Sequence, residues 1–166
     1  LQVNQAFADN ATEFNDTNPT SSVISLGSSS DTNSSSQPHI CYAFAPSQFN
    51  AIGSYKGNGN ADGTFVPTTN SLGIPITPSW IMLKRTDTAN AWAITDIGRT
   101  PTNPTSLILQ GDLPNAELDN NDIDVLHGGF KIRSTDNLHN NASGNYIYLA
   151  FGTPIIDTDG RIITAR

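Results

Sequence analysis

A chain of 166 residues can bury one good core, or one core and part of a second. Only 14% of its residues are charged, against roughly 25% in an ordinary soluble domain, and 13 Gly and 10 Pro stand among abundant Asn, Ser and Thr, which excludes long helices and favours short strands joined by turns. The net charge of −7 leaves no basic stripe for nucleic acid, and no apolar run approaches the roughly 20 residues of a membrane span, so neither nucleic-acid binding nor membrane insertion is expected.

Taken in order, residues 1–14 scatter apolar side chains through a polar background. Residues 15–20 turn, with Pro19 fixing φ and holding Asn18 extended. Residues 23–26 and 40–45 read as strands around a loop, and 46–50 as a connection. The lone cysteine, Cys41, is expected to be a small buried hydrophobe in the second of these strands, so no disulfide can form within the chain. Residues 51–56 are the next strand, 57–63 a loop and 64–66 a return. Three prolines between Pro67 and Pro78 exclude a central strand there. Residues 80–85 and 91–96 pair as a hairpin, 106–109 form a further strand, and 117–124 read as a solvated acidic loop anchored by Ile123, Val125 and Leu126.

Residues 128–152 are the most informative stretch: strand, polar turn, strand. Phe130 and Ile132 alternate with Lys131 and Arg133, giving one apolar and one charged face. A loop of Asp, Asn, Ser and Gly follows, and then Tyr146 to Phe151, apolar on both sides as in a central strand. Residues 23–45 repeat this plan, with Ala43-Phe44-Ala45 matching Ala150-Phe151-Gly152. Their separation is that of a domain, too long for a solenoid repeat. An Asp-Gly turn between Ile155-Ile156 and Ile162-Ile163 predicts a last hairpin. The expected fold is all-β, an antiparallel, jelly-roll-like β-sandwich with little or no helix. Residues 1–48 are then the C-terminal half of a preceding domain copy, 49–152 a complete copy, and 153–166 a C-terminal hairpin or tail. A chain opening at Leu1, with neither initiator Met nor signal peptide, is expected to be a fragment or processed product.

Chemistry-bearing patterns are sparse. His39, His127 and His139 share no metal-ligand spacing and are expected to be surface or hydrogen-bonded residues. No Gly-x-Ser-x-Gly elbow occurs, so hydrolysis lacks a nucleophile, and no cofactor motif is present. Asn58, Asn60, Asp62 and Gly63 loosely mimic the start of a calcium loop, but the leading Asp and the closing Glu are missing, and a plain hairpin loop is favoured. Asp119, Asp122 and Asp124 crowd near Glu117; a solvated loop is favoured over catalytic carboxylates or weak cation binding. Trp80 and Trp92 could stack on sugars, with Asn58, Asn60 and Asp62 as polar contacts, but their alternating strands favour a core or interface role.

Several motifs are similar to one known family. They are Asn15 to Val23, Tyr42-Ala43-Phe44-Ala45, Gly53 to Gly63, Leu83-Lys84-Arg85-Thr86-Asp87, Gly129 to Thr135 and Asn141 to Phe151. In this order, over nearly the whole chain, they resemble a tandem-repeat bacteriophage virion domain of uncharacterised function, found near the C-termini of tail-fibre-like structural proteins. Pro38-His39 departs from the pattern, which usually has Gly and a β-former there. The ending Thr164-Ala165-Arg166 also resembles the natural end of such proteins. The resemblance implies a virion location and a non-enzymatic structural role, foremost in a tail fibre or host-attachment protein, alternatively as capsid decoration or a glycan-binding receptor module. Partners are then other virion proteins, possible host-surface glycan, and further copies of the chain. Half a sandwich at residues 23–45 leaves apolar strands to be covered, so an oligomer is expected, with a trimer favoured by the resemblance.

Overall fold

The computed structural model describes residues 6, 10–154 and 159. The chain divides into a small unit, Ala8–Ala45, and a larger unit that contains every described strand.

The small unit holds two single-turn helices, α1 (Ala11–Phe14) and α2 (Ser30–Asn33). Asn10 and Ser29 cap them, each accepting a backbone N–H with its side chain. Ser29 Oγ donates to Glu13 at 2.8 Å and the Gly27 amide to the Glu13 carbonyl at 2.9 Å, tying α2 to α1. The strands expected at 23–26 and 40–45 are not formed. A strand needs a partner for its backbone groups, and around Val23 local bonds take them instead. Thr20 Oγ1 accepts the amide of Val23, the Thr20 amide donates to the Val23 carbonyl, and Asn33 reaches the Gly27 carbonyl. Ile40 and Tyr42 are exposed, and Cys41 is exposed rather than buried in a strand.

Among the described residues the larger unit is an antiparallel sheet of eight strands: β1 (Asn50–Lys56), β2 (Phe65–Pro67), β3 (Ile76–Arg85), β4 (Trp92–Asp96), β5 (Thr105–Gln110), β6 (Leu118–Leu126), β7 (Gly129–Ile132) and β8 (Asn145–Pro154). Their order is β1-β8-β3-β4-β5-β6-β7-β2. The expected all-β antiparallel class is present. β5 pairs with β4 through Leu109 and Gln110 and with β6 through Thr105 to Ile108, so the sheet turns over on itself at β5. Ile81 and Leu83 of β3 and Tyr148 and Ala150 of β8 thereby share one core with Ile123, Phe130 and Ile132. Phe130, fully buried, meets the Tyr148 ring edge-on at 5.6 Å. Burying a side chain of that size contributes about 1.5–3 kcal/mol. Thr68 joins the far side, donating its amide to Gly128 and its hydroxyl to the Ile76 carbonyl.

Three expectations are corrected. The strands of residues 128–152 do not pair with each other: β7 lies between β6 and β2, and β8 between β1 and β3. For β8, its actual partners, β1 with seven residues and β3 with ten, are both longer than the four-residue β7. A central strand does pass through Pro78. It is accommodated because β4 pairs with β3 only from Trp80 onward and the β3–β8 register shifts between Pro78 and Trp80, so the missing N–H falls at a bulge. Finally, the acidic stretch is strand β6, not a solvated loop. Ile123 faces the core while Asp122 and Asp124, on the other face, are buried under polar partners. The hairpin expected after residue 154 lies outside the described residues.

Candidate functional site

The polar groups of the larger unit converge at one end of the sheet, where the loop after β1, the turn after β3 and the segment between β7 and β8 meet. Asn140, wholly buried, is the hub. Its Nδ2 donates to Asn58 Oδ1, to the Asn60 carbonyl and to the Ser134 carbonyl, all within 2.9 Å, and its Oδ1 accepts the Asn58 amide at 2.9 Å. Gly57 is required by close approach: a Cβ there would sit 2.3 Å from the Asn141 carbonyl oxygen.

Arg85 works beside it. Its guanidinium grips Asp87 at 2.8 and 3.0 Å and reaches Asn141 Oδ1 at 3.1 Å. That hydrogen bond holds the Asp87 carboxyl down at about 2, although partial burial opposes it. Tyr55 and Tyr146 stack at 4.9 Å, and the Tyr55 hydroxyl donates to the His139 carbonyl at 2.8 Å. Burial, followed by the neighbouring Tyr146 and Asp136, pushes the Tyr55 hydroxyl well up. The Tyr146 hydroxyl donates to the Asn137 carbonyl and accepts the Asn141 amide.

The outer face of β6 adds a second cluster. His139 Nδ1 lies 3.2 and 3.4 Å from the two oxygens of Asp136 and 3.5 Å from Asp122 Oδ2. His139 is buried completely, and Asp122 nearly so. Burial raises the Asp122 carboxyl, with His139 opposing. Burial also works against Asp136, but the hydrogen bond and charge of His139 bring it down to about 2. Sequence spacing gave no sign of this cluster, because Asp122 comes from a strand and Asp136 and His139 from a distant turn. The alternation of Asp122 and Asp124 with Ile123 and Val125 was the available signal, and it reads as a strand.

The residues singled out for glycan contact do not form one site. Asn58 Oδ1 accepts the Asn60 amide and Asn60 Oδ1 the Asp62 amide, successive side-chain turns that shape the loop. Asp62 pairs with Lys131 at 2.5 Å instead of turning toward Asn58 and Asn60, so the calcium-loop pattern is not assembled. Lys131 and Arg133 pull the Asp62 carboxyl down, the Lys131 hydrogen bond most. Trp92 pairs across from Lys84, near this end, while Trp80 pairs across from Phe151 and packs on its ring at 5.6 Å. Six positions of β8 separate Phe151 from Asn145, about 20 Å. Both tryptophans are half-buried on the outward face of the sheet. Among the other acids, Asp124 pairs with Arg133 at 2.5 Å, and Glu117 with Arg99. His39 accepts the Ser34 amide, and His127 lies 3.4 Å from the Thr77 hydroxyl.

The profile of a family described as a domain of unknown function, DUF7483, matches residues 1–154. The chain belongs to that family. No curated protein and no solved structure matches it. The DUF7483 match covers the small unit and all eight strands alike. Its description carries no activity, so within this DUF7483 chain the roles of residues rest on the geometry above.

Proposed function

We propose that the chain is a non-enzymatic structural module of a bacteriophage virion, the C-terminal part of a tail fibre or host-attachment protein that assembles as a homotrimer. The turned-over sheet serves in it as a jelly-roll-like β-sandwich. The observation that carries the assembly is the outward face of the β1-β8-β3-β4-β5 portion. Apolar residues that alternate with the core positions there include Ile52, Ile147, Met82, Trp80, Ile94 and Leu109, around the buried Leu149 and Lys84, with Ile52 exposed by 55%. A sheet face left to water alternates to polar or charged residues, whereas an apolar one suits contact with another copy.

The non-enzymatic reading is supported by where the acids point. Asp62, Asp87, Asp96 and Asp124 each pair with a lysine or arginine, and His139, being wholly buried, cannot reach a substrate. A glycan platform is disfavoured by the inward use of Asn58 and Asn60, which turn their own loop and bond Asn140. The virion location rests on the motif resemblance. Antibody raised against the chain and applied to intact particles is expected to decorate fibre tips. Label on the head would move the chain to capsid decoration, and particles free of label would overturn the virion reading.

A further inference from the structure

We infer a metal site in which Asp122 of β6, together with Asp136 and His139 of the turn before β8, holds one zinc ion and fastens that turn to the strand. The three donor atoms lie within 4.8 Å of one another. Asp136 Oδ1 already accepts the amides of Leu138 and His139 at 2.8 and 3.0 Å, which leaves Oδ2 for a metal, 3.4 Å from His139 Nδ1. Asp122 Oδ2 stands 3.5 Å from the same nitrogen. That oxygen is the independent pointer: Asp122 is only 4% exposed, yet Oδ2 accepts no hydrogen bond from the described residues. A buried carboxylate oxygen that receives no hydrogen bond and only faces the His139 ring at 3.5 Å is costly, and a cation between it and the imidazole removes the cost.

The spacing selects the ion. Zinc binds nitrogen and carboxylate oxygen at about 2.0–2.1 Å in a tetrahedron, whose edges are then about 3.3–3.4 Å. The two distances from Nδ1 lie near such edges, and the edge between the Asp122 and Asp136 oxygens, within 4.8 Å, closes onto the ion on binding. An imidazole donor also favours zinc over calcium or magnesium, which prefer all-oxygen sets. Two carboxylates balance the dipositive charge, and the ring gives up its Nδ1 proton to solvent on binding. The Asp136 side chain is 40% exposed, which leaves a route for the ion and a place for water as fourth ligand. In the competing metal-free state Nδ1–H donates to Asp136 and faces the Asp122 oxygen at 3.5 Å without a hydrogen bond. Nε2 lacks a partner in both states.

The test uses the full chain, stripped with chelator, returned to zinc chloride and assayed for bound zinc and for Tm. One zinc per chain and a raised Tm are expected. Asp122→Asn keeps the side-chain shape, and its zinc affinity should fall by more than the roughly 10–100-fold typical of changes outside the ligand set. Cobalt substitution of the unmodified chain supplies a readout even if that variant does not fold: a tetrahedral nitrogen–oxygen spectrum is expected. A folded chain that takes up no zinc, a cobalt spectrum without tetrahedral character, or an Asp122→Asn protein that binds zinc like the parent would overturn the site.

Discussion

At the scale of single residues, the polar end of the sheet is organised by side chains that satisfy several backbone groups at once. Asn140 closes two loops over each other, and Arg85 holds Asp87 and Asn141. Because the Asp87 carboxyl sits at about 2, below its ordinary 3.8, its contribution is complete above about pH 4 and is lost as the pH falls through about 2. Its side chain is 31% exposed, so solvent screening limits the effect to about 1 kcal/mol. Asp87→Asn should therefore lower stability by about 1 kcal/mol at neutral pH, and the gap from the parent should close near pH 2 in urea unfolding. A gap of equal size at both pH values would show that the charge is not the cause. The turn-forming use of Asn58 and Asn60 was legible in the sequence, since asparagine bonds its own backbone. The buried partnership of Asp122 with His139 was not, because only the tertiary fold brings a strand and a distant turn together.

Elements with unbroken apolar alternation were read directly. These are β1 and the β3–β4 hairpin, and the continuous apolar run of β8 reads equally directly as a central strand. β6 was read as a loop because its acids, solvated in an unpaired chain, are covered here by Arg133 and His139. Residues 23–26 and 40–45 have strand-like composition, but neither segment forms a ladder, and at Val23 short-range bonds from Thr20 take the place of one. The prolines ahead of β3 were read as a barrier. The bulge opposite Gly152 shows how one is passed: a Cβ at Gly152 would lie 2.0 Å from the Thr77 carbonyl oxygen and 2.8 Å from the Pro78 Cα. Gly152→Ala is thus expected to push β3 from β8 at the bulge, costing about 1–3 kcal/mol and lowering Tm on the order of 5 °C. An unchanged Tm by calorimetry would mean that the strands part there without penalty.

For the whole molecule, the central proposal is assembly through the outward apolar face of the larger unit. Ile52 on β1 and Met82 on β3 lie on that face, on either side of Leu149, and neither belongs to the internal core. Charge placed there should leave the fold intact and act on association alone. The most direct measurement is sedimentation equilibrium at micromolar concentration, on the parent and on the Ile52→Lys, Met82→Lys double variant. A parent mass of three times 17.7 kDa and a folded monomeric variant are predicted. A parent that sediments as a monodisperse monomer would contradict the proposal.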